Sequence, residues 1–124
     1  MIKELRDKAT FHYNNFLYFK KQTKKIFKNI VQYINNHSIT FPQDIKDNFK
    51  LLISKWNNTD NYSGQDYLDM KDISTSINNY IIKQEDSSLK ELFMNYLINF
   101  DKFQKDLYNF YEFAEKIKEL EVTK

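Results

Sequence analysis

Five lysines stand among eleven residues in the stretch Tyr18-Phe-Lys-Lys-Gln-Thr-Lys-Lys-Ile-Phe-Lys28, interleaved with aromatic rings. Lysines one helical turn apart rise ~5–6 Å, close to the phosphate spacing along a nucleic-acid strand. Lys20, Lys21, Lys24, Lys25 and Lys28 could thus hold a polyanion in a weak, salt-sensitive, sequence-blind way. Base reading normally uses bidentate arginine, and Arg6 is the only arginine beside eighteen lysines. The formal net charge is +2, small for a dedicated nucleic-acid binder. A plainer account fits the same residues. With Phe16, Phe19, Thr23 and Ile26 facing inward on a helix, Lys21, Lys24, Lys25 and Lys28 fall on the opposite side and Lys20 on the flank. The expectation is therefore a solvated face first, a docking patch for an acidic protein surface second, and a nucleic-acid site third.

Other chemistry is sparse. His12 falls on the inward seam of the first helix and His37 in the turn after it. A helical di-iron site needs inward glutamates with Glu-x-x-His pairs, which the sequence does not contain, so His12 reads as a packed histidine with a hydrogen-bonded nitrogen. Glu112, Glu115 and Glu119 form a helical row of the kind that usually faces water. Asp60, Ser63, Gly64 and Asp66 follow one another loosely like a calcium loop, but depart from the spacing of the ~12-residue loop and its terminal glutamate. With no cysteine, no Gly-rich phosphate cradle and no nucleophile elbow, the expectation is a non-enzyme without metal or cofactor.

The elements that must position these residues are helices. One glycine and one proline in 124 residues leave little turn chemistry for a sheet. Ile2, Leu5, Ala9, His12, Phe16, Phe19, Thr23, Ile26, Ile30 and Tyr33 recur at alternating steps of three and four, the signature of a long bundled helix. Asn35-Asn36 would close it in the left-handed conformation. Thr40 with Gln43 predicts a capping box for a second helix faced by Ile45, Phe49, Leu52 and Trp56. Ser63 with Asp66 predicts the start of a third, faced by Tyr67, Met70, Ile73, Ile77 and Ile81. Ser88 with Glu91 predicts a fourth, with Leu89, Phe93, Tyr96, Phe100, Phe103, Leu107, Phe110, Ala114 and Ile117 on its seam. Tyr18, Phe27, Tyr108, Tyr111 and Phe113 lie outside the seams.

The chain therefore reads as one all-α domain over residues 1–124, roughly 65% helical or more. It is a four-helix bundle with long outer helices at about 2–36 and 88–121 and shorter ones at about 41–57 and 64–84. A three-helix bundle with a broken middle helix is the alternative. In the four-helix layout the short pair covers only half of the long pair. Ile2, Leu5, Leu107, Phe110, Tyr111 and Ile117 then form a wet apolar end suited to a protein partner, with a homodimer as the expected solution.

No run approaches the ~20 apolar residues of a membrane span, and MIKELRDKAT carries charges where a signal peptide needs an apolar stretch. The expected location is the cytoplasm, with no membrane partner. Abundant Lys, Asn, Ile, Phe and Tyr with scarce Ala and Val follow AT-rich codons and point to a low-GC bacterium, phage or plasmid, so part of the 17% aromatic content reflects codon usage. Residues 1–36 carry eight basic and two acidic side chains, net +6, and residues 63–124 eight basic and twelve acidic, net −4. Together these features predict a non-catalytic interaction module such as an inhibitor, an immunity- or antitoxin-type protein or a small adaptor. A nucleic-acid-associated subunit using the lysine face is the alternative.

Overall fold

Long uninterrupted seams produce long helices. A computed structural model describes residues 1–122 and contains α1 (Ile2–Asn36), α2 (Gln43–Trp56), α3 (Gly64–Ile81) and α4 (Ser87–Val122). A single 3-10 turn at Thr59–Asn61 interrupts the α2–α3 connection. The chain is 87% helical, with no strand among the described residues. All-α architecture and four helices follow the sequence expectation.

Helices α1 and α4 run antiparallel along their whole length. Arg6 pairs with Glu121 and His12 with Asp106 near one end. Phe16 meets Phe103 and Phe27 meets Tyr96 in the middle. At the other end Tyr33 donates to Asp86. The short helices form a side-by-side hairpin against this pair. Phe41, just before α2, touches Tyr80 near the end of α3 at 5.8 Å between ring centres. Joined end to end, α2 and α3 would hold those two rings more than about 40 Å apart, so the broken three-helix layout is excluded.

The core lies where all four helices overlap. Phe49 packs on Phe93, Trp56 on Phe27, Phe100 and Phe103, and Tyr67 on Phe16 and Phe103. Every residue predicted for the α2 face is buried. On α3 the buried set is Tyr67, Met70, Ser74, Ile77 and Ile81, so Ser74 replaces the predicted Ile73. Ser74 Oγ reaches Met70 O at 2.7 Å and the Tyr96 hydroxyl at 2.8 Å, and Trp56 Nε1 donates to that hydroxyl at 3.1 Å. A small polar side chain is tolerated there because all its bonds are made.

The predicted caps fare unevenly. Ser63 and Asp66 form the capping box of α3, and the backbone and side-chain bonds from Ser63 hold the Asp66 carboxyl below its usual range. Thr40 does not cap α2: Pro42 is the N-cap residue and the Gln43 amide bonds forward to Asp47. Nor does Ser88 cap α4. Asp86 accepts the Leu89 N–H at 3.0 Å, and its carboxyl also takes the Tyr33 hydroxyl, a second bond that a serine cap would not provide. At the end of α1 the left-handed residue is Ser38, φ 51°, rather than an asparagine.

Candidate functional site

The hairpin is shorter than the pair it covers, and the candidate site follows from that mismatch. Gly64, at the start of α3, lies where an added Cβ would meet the Tyr111 ring at 3.6 Å. Beyond this level α1 and α4 continue as a two-helix arm, about 12 residues each or ~18 Å long. Ala9 is buried between the arm helices, its small side chain allowing their close approach.

Of the six residues predicted for the apolar end, Ile2, Leu5, Phe110 and Ile117 are half-buried on the arm. Leu107 is 5% exposed and belongs to the core cluster rather than to the exposed end. Tyr111 stands at the junction, 43% exposed. Tyr13, 41% exposed, was missed; it sits 5.0 Å from Phe110, ring centre to ring centre. Arg6, Ala9, Tyr13, Phe110, Ala114 and Ile117 line one shallow groove of about 370 Å³ along the arm. Since Tyr13 and Phe16 are in ring contact and Phe16 packs on Tyr67, this groove continues the α1/α4 face that the hairpin covers higher up.

His12 donates or accepts through Nδ1 at 2.9 Å from Asp106 Oδ1, stacks on Phe113 and meets Phe11 edge-on. It is the packed, hydrogen-bonded histidine that its seam position predicts. His37 bonds the Tyr33 carbonyl at the α1 terminus. Glu112 pairs with Lys116 one turn on. Among the described residues no three His, Asp or Glu side chains converge as metal ligands. No helix among them is long and apolar enough to cross a membrane.

The lysine face divides. Lys21, Lys25 and Lys28 are exposed, as expected. Lys20 is half-buried, with Nζ 5.2 Å from the Phe16 ring centre and 3.4 Å from the Tyr67 hydroxyl; burial pushes its ammonium below the usual lysine range. Lys24 is also half-buried, turned toward α2 rather than opposite the core. The cause is Phe27, expected outside the seam but 2% exposed. α1 touches two neighbours, so Phe16, Lys20, Thr23, Phe27, Ile30 and Ile34 make a second stripe toward the hairpin. Replacing Lys21, Lys25 and Lys28 with glutamine should change unfolding free energy by less than about 0.5 kcal/mol each. A larger loss in urea titration would contradict their exposure. Lys20 and Lys24 thus lean toward the hairpin, whereas Lys21, Lys25 and Lys28 face solvent. Comparison with family models, curated proteins and solved structures finds no match to this chain.

Proposed function

We propose that the chain is a non-catalytic helical interaction module, of the inhibitor, antitoxin or small-adaptor kind, that pairs with a second copy through the α1/α4 arm. The observation that carries this reading is the arm groove. It prolongs the core seam past the end of the hairpin, with Tyr13, Phe110 and Ile117 partly exposed along it. Laid against the same face of a second copy, it forms four helices where one chain supplies two, and closed two-fold pairing is the commonest oligomer solution. The charges suit it: the arm stretch of α1 is net positive and that of α4 net negative, so antiparallel arms bring opposite signs together. The patch is small, which makes pairing concentration-dependent.

Light scattering at tens of micromolar should give twice the chain mass. Tyr13→Asp with Ile117→Asp should return it to the monomer while circular dichroism stays helical. A monomeric wild type at that concentration, or a double variant that still dimerises, refutes the arm as the pairing surface.

A further inference from the structure

The four helices form a square with one side open. Close backbone approaches join α1 to α4, α4 to α3 and α3 to α2, whereas α1 and α2 meet mainly through side chains. Phe27 and Trp56 meet across that side at 6.5 Å between ring centres, and two adjoining hollows of about 240 and 300 Å³ share Val31 and Ile53 as common walls. Together they form one trough. Its floor is Phe27, Val31 and Ile34 from α1 with Phe49, Ile53 and Trp56 from α2. From Lys24 to Asn35 it runs ~16 Å, about three helical turns.

Every charged residue on its rim is basic, among the neutral Gln32, Asn35, Thr40 and Asn57. Lys24 and Lys28 stand on the α1 bank at one end, Lys46 and Lys50 on the α2 bank at the other, each pair one turn apart. No carboxylate lines either hollow, and none of the four lysines is held in an ion pair among the described residues. Elsewhere Arg6 is bound to Glu121, Lys71 to Asp101 and Lys116 to Glu112, while Lys8, Lys20, Lys55 and Lys102 lie over aromatic rings. Four unpaired lysines around an apolar strip three turns long match one ligand chemistry, a helix with an apolar stripe flanked by carboxylates.

We propose that this trough docks an acidic amphipathic helix of a partner protein, which closes the open side of the bundle. The helix lays leucine-like side chains along the half-buried Val31, Ile34 and Ile53, above the buried rings of Phe27, Phe49 and Trp56. Its glutamates or aspartates flank that stripe and meet Lys24 and Lys28 at one end and Lys46 and Lys50 at the other. The trough is open to solvent along its length, so an acyl chain laid in it would stay half wet, whereas a helix needs only one face covered. A nucleic-acid strand would leave the apolar floor uncovered. The site lies away from the arm and does not depend on self-association.

The test uses fluorescence anisotropy of labelled peptides of about 14 residues against the full chain. The first peptide has a leucine stripe flanked by glutamates. The second has the same stripe flanked by lysines. The third has the first one's composition with the leucines dispersed around the helix. The expected result is saturable binding of the first, at least about tenfold tighter than the other two. In Lys24→Glu/Lys28→Glu/Lys46→Glu/Lys50→Glu the preference should invert toward the lysine-flanked peptide. The exposed pair Lys46→Glu/Lys50→Glu alone should weaken the acidic peptide by several-fold. Equal binding of the dispersed peptide would show charge attraction without a groove and overturn the proposal. So would displacement of the acidic peptide by dodecanoate or a single-stranded DNA oligomer at lower concentration than by unlabelled peptide, or no binding at all. The arm variant Tyr13→Asp/Ile117→Asp should bind the acidic peptide as wild type does, so failure of dimerisation and failure of this docking are separately visible.

Discussion

Phe100→Ala is expected to lower unfolding free energy by about 3–5 kcal/mol, the usual cost of removing a buried ring and leaving its cavity. Phe100 is fully buried, with ring centres of Phe103 at 4.5 Å and of Trp56 and Tyr96 at 5.9 Å. These neighbours come from α2 and α4 and are themselves wedged by Tyr67 and Phe27, so they cannot collapse into the gap without disturbing every helix. Lys71 Nζ also lies 5.7 Å over the ring while bound to Asp101, and that cation–π contact disappears with it. A domain of this size holds only ~5–15 kcal/mol in total, so the variant should unfold at far lower urea. Phe16→Ala falls in the same range, because Phe16 joins Tyr67 to Phe103 where the hairpin ends. A loss below about 1 kcal/mol at Phe100 would mean that the packed seam is not the source of stability.

That seam was readable in advance because the predicted positions of α4 from Leu89 to Leu107 are all aliphatic or aromatic, and each is buried; Gln104, buried beside Phe103, falls outside that spacing. Ser74 was not readable. An isoleucine stands next to it in the chain, and only the position of the Tyr96 hydroxyl makes the serine the better inward residue. The second stripe of α1 was hidden for a related reason. Lys20 stands within it, and a lysine there looks like a surface residue unless its stem can lie on Phe16 and Tyr67. Capping of α4 had several acceptors to choose from within three residues. The Tyr33 hydroxyl, 53 residues away in sequence, favours Asp86. The arm could be inferred from helix lengths alone. The trough could not, since it depends on how far apart α1 and α2 lie where Phe27 meets Trp56. Local periodicity picks out the side chains of a helix's main seam, whereas a second buried stripe and the helix spacing depend on pairs of elements.

Raising the pH above 10 should unfold the protein more steeply than any single surface change. Burial raises the phenol of Tyr96 far above its usual 10, outweighing the opposing bonds from Ser74 and Trp56, and burial likewise raises Tyr67. A group whose folded value is raised contributes stability that is intact below the unfolded value and is lost as pH climbs toward the folded one. Above pH 10 the unfolded chain therefore releases two protons that the folded chain retains. Each retained proton steepens the fall by up to about 1.4 kcal/mol per pH unit, so stability drops progressively as the pH climbs above 10. Tyr62, raised by burial, and Tyr33, raised by its bond to Asp86, act in the same sense. Lys20 acts in the other: burial lowers it, so the folded chain sheds that proton first and gains stability until the usual lysine value near 10.5. Its contribution is complete before most of the tyrosine loss occurs. In urea titrations at successive pH values, Tyr96→Phe should start less stable, having lost the acceptor for Trp56, yet fall off about 1.4 kcal/mol per pH unit more gently than wild type. Phenolate absorbance should show two of the nine tyrosines ionising only as helicity is lost. Stability that stays level to pH 12, or equal slopes for wild type and Tyr96→Phe, would show that the Tyr96 hydroxyl is open to water.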